Sequence, residues 1–223
     1  MYTDKDPNKI RSMFDKISVY YDDMNNRISL GTHYLIKYIV LKLLNIKPKS
    51  MVLDLCCGTG DFSRIIGKIR PDAFVIGLDF SEQMVKNAKI KNPNKTFLKA
   101  DATDLPFKDE EFDYVTVGFG LRNIQDRTKA LSEAYRVLKH SGKFLHLDFG
   151  VHNFTAKIFD ELVLFIAKTF KCDIESYQYL LTSKNDYPEP EELIKEFEQN
   201  EFKFFKRKDF LFGAISCQIM IKN

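Results

Sequence analysis

Acidic residues stand at places in this chain where a short apolar run gives way to a loop. Asp54 lies in the apolar run 51–55, just ahead of a loop that contains Gly58, Thr59 and Gly60. A strand, a glycine loop and a helix in that order leave backbone N–H groups at the helix N-terminus for a ligand. Dinucleotide sites place a pyrophosphate there, which a carboxylate would repel, and Ser63 replaces the third glycine of G-x-G-x-x-G. A ligand with an ammonium group and no phosphate fits better, and S-adenosylmethionine (SAM) is one.

Three later apolar runs end in residues that suit the same ligand. The second run ends in Asp79, 19 residues beyond Gly60, where an acid accepts hydrogen bonds from ribose hydroxyls. The third leads to Asp101 and Ala102, where a carboxylate can accept from an adenine amino group, and the fourth ends in Gly118. Acids at strand ends also cap helices and form turns. Because ligands of open α/β sheets bind beyond the carboxyl ends of the strands, all four ends are predicted to meet in one crevice.

The elements that position these residues follow from the alternation of strand and helix patterns over 50–149. This alternation predicts right-handed crossovers and a parallel sheet. Helices are predicted near 61–69, 81–91 and 126–139, the last from an Asp126 cap to a stop at Gly142. A terminal hairpin, formed by 202–210 and 214–221 and turned at Gly213, brings the predicted number of strands to seven.

Two segments lie outside this core. Residues 9–45 are predicted to be helical, and a helix over 189–200 follows Pro188. Residues 153–184 predict an apolar helical insertion, which either packs against the sheet or forms a lid over a hydrophobic substrate. The predicted apolar face of the first segment contains Leu35, Ile36, Ile39, Val40, Leu43 and Leu44, and that of the insertion contains Ile158, Phe159, Leu162, Val163, Phe165, Ile166 and Phe170.

Composition limits the class of protein. With 223 residues, 13% aromatic and 29% charged, the chain suits one globular domain with an apolar pocket. A net charge of +3 is too small to indicate nucleic acid, although basic clusters at 86–95 and 203–208 are either solvated faces or contacts to an anionic membrane. The four cysteines lack zinc-ligand spacing, so we expect no metal. Without an apolar leader or a long apolar stretch, we expect a cytoplasmic protein.

These motifs resemble the class I SAM-dependent methyltransferases and, more narrowly, the quinone C-methyltransferases of menaquinone and ubiquinone biosynthesis. The most specific block is Phe-Gly-Leu-Arg-Asn at 119–123, and Asp-Leu-Cys-Cys-Gly-Thr at 54–59 is closer to the menaquinone branch. The chain departs from the family at Gly118, where serine is frequent, and at 148–151, where Glu-Phe-Ser-Lys is usual. Other resembling blocks lie at 14–17, 21–25, 29–33, 105–107, 135–139 and 177–180, with Ser183 and Pro188.

The resemblance implies a Rossmann-like α/β fold with a seven-stranded, mostly parallel sheet. It implies SAM as cofactor and a prenylated quinol as substrate, with demethylmenaquinol converted to menaquinol. Methylation of a 2-methoxy-6-polyprenyl-benzoquinol in the ubiquinone pathway is the alternative, followed by a sterol or phospholipid amine as acceptor. An NAD-binding oxidoreductase is disfavoured by Asp54 and Ser63, and a catalytically silent SAM-binding protein stays open. We also expect transient contact with the inner face of a membrane and allow for a homodimer.

In this resemblance Arg122 and Asn123 lie beside the reactive methyl group. Because a guanidinium stays protonated, Arg122 is predicted to stabilise the developing phenolate while Asn123 orients its oxygen. The proton acceptor is Asp148, His33 or water. Structural roles remain for all three side chains: a salt bridge for Arg122, a cap or core position for His33 and a buried acid at Asp148. The predicted parts are a helical cap (1–47), a cofactor-binding core (48–150), a substrate lid (151–184) and a C-terminal helix with the hairpin (185–223).

Overall fold

The computed structural model describes residues 5–151, 154–169 and 174–223, without the side chains of residues 155, 159, 167 and 174. Phe170 and Cys172 lie outside the described residues, and so does the side chain of Phe159. What the sequence predicts for these three positions stays a prediction.

A single mixed sheet forms the centre of the described chain. The strand order is β3-β2-β1-β4-β5-β7-β6. The first five strands are parallel, whereas β7 runs antiparallel to both β5 and β6. This confirms the seven-stranded, mostly parallel sheet with a C-terminal antiparallel hairpin. The strands are β1 Met51–Leu55, β2 Phe74–Asp79, β3 Thr96–Lys99, β4 Phe112–Gly118, β5 Leu138–Phe149, β6 Phe202–Phe210 and β7 Ile215–Lys222.

Helices cover both faces of the sheet because its central strands are apolar on both sides. Leu53 of β1 belongs to a core cluster with α6 and α9, and its neighbour Val52 belongs to a second cluster with α3 and α4. The predicted helical insertion contains α7 and α8. The helices are α1 Pro7–Ile17, α2 Tyr21–Ser29, α3 Thr32–Leu44, α4 Asp61–Ile69, α5 Glu82–Lys91, α6 Arg127–Val137, α7 Phe154–Thr169, α8 Ile174–Asn185 and α9 Pro190–Gln199.

The predicted end of α6 is wrong, although its predicted start is right. Asp126 caps the helix by accepting a hydrogen bond from the Lys129 N–H at 2.9 Å. The helix ends at Val137, because buried Leu138 turns to extended dihedral angles and pairs with Phe112 as the first residue of β5. Gly142 therefore lies within β5 and does not stop the helix. Strand pairing outweighs the helical pattern that continues to residue 139.

The buried face of α3 also differs from its prediction, most clearly at Leu35. Leu35 is 59% exposed, so it does not belong to the packed face. The residues that α3 buries are His33, Ile36, Val40, Leu41 and Leu44. Since the helix is apolar over most of its surface, its pattern leaves the direction of the buried face to the sheet and to α4.

Candidate active site

Two adjoining cavities open at the carboxyl ends of the parallel strands. The first, which we call the Asp79 cavity, is lined by Asp79, Asp101 and Ala102. The second, the Arg122 cavity, is lined by Asp54, Arg122 and His33 among others. The two cavities adjoin and are treated together as one crevice, because they share the lining residues Phe14, Tyr21, Cys56, Gly58, Gly118, Phe119 and Asn123. The four strand ends therefore meet as the sequence indicates.

The glycine loop after β1 depends on left-handed backbone angles. Gly58 has φ +54° and Gly60 has φ +86°, and a Cβ on Gly60 would lie 2.8 Å from the Asn92 Nδ2 atom. Gly60 lines neither cavity, so its contribution is to the shape of the loop. Thr59 lines the Arg122 cavity, and its hydroxyl donates to the Asp22 carboxylate at 2.6 Å.

Asp54 lies beneath this loop, almost fully buried, on the wall of the Arg122 cavity. Its carboxylate accepts hydrogen bonds from the Ser63 N–H at 3.0 Å, the Ser63 hydroxyl at 2.7 Å and the Thr116 hydroxyl at 3.2 Å. Burial raises the pKa of Asp54 to about 6 even though these donors lower it. The serine that replaces the third glycine therefore holds the acid in place, and a cationic ligand would relieve the cost of its burial.

The two acids of the Asp79 cavity also make local hydrogen bonds. Asp79 accepts from the Gly58 N–H at 2.8 Å and from the Ser81 N–H at 2.9 Å, and burial raises its pKa. Asp101 accepts from the N–H and the hydroxyl of Thr103, as a turn former does. Since a carboxylate offers about four acceptor positions, both acids keep capacity for a ligand.

Arg122 is a buried cation at the wall of the cavity that carries its name. Its Nη1 atom donates to the Phe119 carbonyl at 2.7 Å and to Asp148 at 2.8 Å. Asp148 is fully buried, also accepts from the Phe149 N–H, and lines neither cavity. Within the described part of the chain, Arg122 Nε and Asp148 Oδ2 are buried without a hydrogen-bond partner. The salt bridge considered for Arg122 thus exists, and Asp148 lies behind the arginine.

Asn123 lies where the two cavities join. Its Nδ2 atom contacts the Phe119 carbonyl at 3.4 Å, and its Oδ1 atom accepts a hydrogen bond from the Tyr179 hydroxyl at 3.2 Å. Tyr179 belongs to α8 and also lines the Arg122 cavity. The sequence reasoning assigned no role to Tyr179, Ser63 or Thr116. The only available signal for Tyr179 was its place in the resembling block at 177–180.

His33 presents one ring nitrogen without a hydrogen-bond partner in the described ranges. The Ser29 hydroxyl donates to the Asn25 carbonyl, so the hydrogen bond of 2.6 Å between Ser29 and His33 needs Nδ1–H as its donor. This assigns the lone pair to Nε2, which lies 3.8 Å from the Asp61 carboxylate. Burial, assisted by Lys37, lowers the pKa of His33 to about 4. At neutral pH the ring is therefore neutral and can only accept a proton at Nε2.

The structure explains why position 118 carries glycine where the resembling family frequently has serine. It ends β4 and lines both cavities, and a Cβ there would lie 2.9 Å from the Phe62 Cζ atom. The ring of Phe62 thus takes the space that a side chain at position 118 would need.

The N-terminal helices form one wall of the crevice. Asp15 accepts hydrogen bonds from the Ser81 hydroxyl at 2.6 Å and the Gln83 N–H at 3.3 Å, and Asp22 pairs with Lys91. These contacts fasten α1 and α2 to the start and end of α5. They bring Phe14 and Tyr21 into both cavities, a role for which the sequence offered no signal beyond the resembling blocks at 14–17 and 21–25.

In residues 5–151, 154–169 and 174–223, no group of three or more His, Cys, Asp or Glu side chains is arranged to hold a metal ion. None of the helices in those ranges is both long and apolar enough to cross a membrane. Cys56, Cys57 and Cys217 are free thiols.

Comparison with known proteins places this arrangement in a family. The model of the ubiE/COQ5 methyltransferase family matches residues 2–222. The demethylmenaquinone methyltransferase of Staphylococcus carnosus is 38% identical over 225 residues, covering 96% of this chain and 93% of the relative. The enzyme of the same name from Anoxybacillus flavithermus is 34% identical, covering 95% of this chain and 94% of the relative.

Solved structures agree on the fold. A SAM-dependent methyltransferase from Thermotoga maritima superposes with a TM-score of 0.72 at 22% identity, covering 96% of this chain and all of the other. Phosphoethanolamine N-methyltransferase 2 of Haemonchus contortus, solved with S-adenosyl-L-methionine, has a TM-score of 0.65 at 18% identity, covering 83% of this chain and 52% of the other. Both likenesses concern the Rossmann-like methyltransferase architecture.

Proposed function

We propose that this chain, which belongs to the ubiE/COQ5 methyltransferase family and is a SAM-dependent methyltransferase, methylates a ring carbon of a prenylated quinol. The reaction would convert demethylmenaquinol to menaquinol, the chemistry that the names of its curated relatives indicate. The observation that carries the proposal is the buried Arg122, held by hydrogen bonds to Phe119 and Asp148 at the wall of an apolar cavity that adjoins the Asp79 cavity. A fixed cation in that position suits an acceptor that becomes an anion.

The residues of the crevice fit SAM along its length. In this proposal Asp54 holds the ammonium group, Asp79 accepts from the ribose hydroxyls and Asp101 accepts from the adenine amino group. Ala102 and Gly118 supply close walls. The buried, hydrogen-bonded carboxylate of Asp54 supports this orientation, because a pKa raised to about 6 marks a site that gains from a nearby cation. Thr59 and the left-handed glycines 58 and 60 shape the loop between these groups.

The chemistry requires an electron-rich ring carbon. When bound, SAM supplies a methyl group on a sulfonium, and the transfer forms a C–C bond as the C–S bond breaks. A quinone ring is electron-poor, so the acceptor must be the hydroquinone, which loses its phenolic proton. Arg122 would stabilise the phenolate, and Asn123, oriented by Tyr179, would align its oxygen.

The positions of the candidate side chains relative to the two cavities narrow the choice of proton acceptor. Asp148 lies behind Arg122 and lines neither cavity, so in this proposal it orients the guanidinium. His33 lines the Arg122 cavity and carries its lone pair on Nε2. His33 and ordered water are therefore the two acceptors that we propose for the phenolic proton. Methyl transfer to the phenolate gives a dienone, whose methylated ring carbon then loses its proton while the oxygen regains one. The aromatic hydroquinone is restored in this way, and one proton is released overall.

The partners and location follow from the substrate. A prenylated quinol is held in a bilayer by its tail, so we propose that the enzyme works from the cytoplasm with transient contact to the inner face of the membrane. The lid assigned to residues 151–184 is supported by Tyr177 and Leu180 of α8, which line the Arg122 cavity. Formation of a homodimer stays a prediction, and no nucleic acid is proposed as a partner.

An anaerobic transfer assay tests the function. Radiolabelled SAM is supplied with demethylmenaquinol, with its oxidised quinone or with a tail-less naphthoquinol. We expect label in the prenylated quinol only, with apparent affinity falling by about 0.8 kcal/mol per buried CH₂ removed from the tail. Equal labelling of the reduced and oxidised forms would contradict the mechanism. Parallel reactions contain a benzoquinol, a sterol or a phospholipid amine instead, and label in one of these alone would move the assignment to that acceptor.

The proposed role of Asp54 predicts a pH dependence of SAM binding. The ammonium group favours the carboxylate form, whose pKa in the free protein is about 6. Below that pH the affinity should fall, by up to about tenfold per pH unit, and binding should release a proton. Because the pKa of this carboxyl group is higher in the folded than in the unfolded protein, the stability of the free protein falls as pH rises from about 4 to 6. Bound SAM offsets that loss.

Calorimetry from pH 5 to pH 8, in buffers of different ionisation enthalpy, measures this linkage. Asp54→Asn should weaken binding and abolish the proton release. Asp101→Asn is the control, since it removes another carboxylate from the crevice but should keep the pH dependence. A pH-independent affinity in the parent protein would contradict an ammonium contact at Asp54.

A further inference from the structure

Large exposed apolar side chains lie in turns next to lining residues of the Arg122 cavity and at the start of α7. We call them the apolar rim and define it as Val19, Leu30, Phe154, Leu211 and Phe212. Each is more than half exposed, and Phe212 reaches 89%. Single exposed apolar residues are ordinary on a protein surface, whereas a group beside one cavity indicates an interaction.

The turn between β6 and β7 carries the last two rim residues to this edge of the sheet. Phe149 pairs with Ile215, which in turn pairs with Phe210 on β6. Phe149 and Ile215 both line the Arg122 cavity. The Val151 N–H also donates to the Gly213 carbonyl at 2.8 Å, so the turn is tied to the carboxyl end of β5. Leu211 and Phe212 therefore lie close to the part of the cavity wall that Phe149 and Ile215 form.

The backbone of this turn is unusual for the residues that it carries. Leu211 has φ +49° and Phe212 has φ +55°, a left-handed region that favours glycine and asparagine. Large apolar side chains are therefore kept at a strained, solvent-exposed position, where a small polar residue would be more stable. Strain retained in this way is typical of a functional surface.

Two further rim residues lie in the turns of the N-terminal helices. Val19 stands between Ile17 and Tyr21, and Leu30 between Ser29 and His33. All four of these neighbours line the Arg122 cavity. The turns that carry Val19 and Leu30 therefore adjoin the wall of the same cavity as the β6–β7 turn.

Helix α7 extends the apolar surface. Phe154, Ile158, Leu162 and Phe165 follow one another at helical spacing and are all exposed. Val163 and Ala156, on the opposite side, are buried, and Val163 packs in a cluster with residues of α2 and α8. Lys157 and Lys168 flank the exposed face, together with Glu161.

We propose that the apolar rim and the exposed face of α7 insert into the interfacial layer of an anionic lipid membrane. This rests on the proposed function, since the tail of the quinol then passes from the bilayer into the Arg122 cavity without crossing water. Short turns that each project one or two apolar side chains, beside an apolar helix face flanked by lysines, match the chemistry of a lipid interface. The exposed Lys208 near the end of β6 adds positive charge beside the turn.

Vesicle flotation of the full chain tests this surface with Phe212→Asn. Asparagine tolerates left-handed angles, so we expect a melting temperature equal to or above that of the parent. Binding to phosphatidylcholine vesicles with one quarter phosphatidylglycerol should fall about tenfold, since a large aromatic side chain no longer enters the lipid. Parent binding should also fall when phosphatidylglycerol is omitted.

Phe74→Asn is the matched control. Phe74 is 61% exposed but begins β2, at the amino-terminal edge of the sheet, away from the cavities. We expect its vesicle binding to equal that of the parent. Equal binding by the parent, Phe212→Asn and Phe74→Asn proteins would overturn the proposal. A dimer in light scattering that Phe212→Asn dissociates, without a change in vesicle binding, would also overturn it and assign the rim to a second copy of the chain.

A second pair of assays separates this surface from the proposed function. With demethylmenaquinol of one isoprene unit in detergent micelles, Phe212→Asn should retain the activity of the parent. With long-chain demethylmenaquinol embedded in vesicles, its activity should fall together with its binding. Rim-dependent vesicle binding by a parent protein that methylates no quinol would support the membrane surface and refute the function. Quinol methylation in vesicles that Phe212→Asn leaves unchanged would support the function and refute the membrane surface.

Discussion

Replacing Arg122 with alanine is expected to lower turnover by about 10²–10³-fold, the loss typical of removing a donor that stabilises a developing oxyanion. The affinity for SAM should stay near that of the parent, because the hydrogen bonds of Arg122 go to the Phe119 carbonyl and Asp148 and not to the carboxylates assigned to SAM. Its interaction with the substrate strengthens only as phenolate charge appears, so the effect belongs to kcat. Single-turnover kinetics and calorimetry on the same preparations measure the two quantities.

Stability must be controlled in this experiment. Arg122 is paired with buried Asp148, and removing one partner of a buried pair costs about 3–5 kcal/mol. Arg122→Lys keeps a positive charge beside Asp148 but not the planar fork of donors, so it should fold better than the alanine variant and still turn over slowly. Equal losses of SAM affinity and turnover in Arg122→Lys would show instead that Arg122 builds the cofactor site.

Replacing Asp79 with alanine is expected to weaken SAM binding by about 1.5–3 kcal/mol, the range for hydrogen bonds to a charged group. The structure adds a second reason, because Asp79 also accepts from the Gly58 N–H and so holds the glycine loop. We therefore expect a value near the upper end, measured by calorimetry. Turnover at saturating SAM should change far less than affinity.

Asp104→Ala is the matched control for this variant. Asp104 is an exposed carboxylate on the loop after β3 and lines neither cavity, so its loss should leave SAM affinity unchanged. An Asp79→Ala protein with parental affinity, or a parent protein that binds NAD tightly, would contradict the assignment of the Asp79 cavity.

The sequence carried the order and type of most elements because these depend on local patterns. The apolar runs of β1 and β2 and the Asp126 cap each depend on residues close together in the chain. The boundary between α6 and β5 was not predictable in this way. Leu138 continues a helical pattern, and only its pairing with Phe112, on a strand far back in the sequence, makes it extended.

The same distinction between local patterns and long-range contacts applies to the candidate site. The convergence of Asp54, Asp79 and Gly118 follows from topology, because carboxyl ends of parallel strands share one edge. The contacts around the functional residues do not follow from topology. Arg122 meets Asp148 from 26 residues away, and Tyr179 reaches Asn123 from 56 residues away. Such contacts depend on how separate elements pack, which no local pattern records.

By itself, therefore, the sequence determined a strand-and-helix core, its glycine loop and the strand ends that face one crevice. Only the tertiary structure decided that Asp148 stands behind Arg122 and that α7 turns Phe154 and Phe165 outward. An amphipathic period specifies that a helix has an apolar face. The same period is found when that face packs against a sheet and when it contacts solvent or a lipid membrane. The free energy of the whole packed arrangement decides between them.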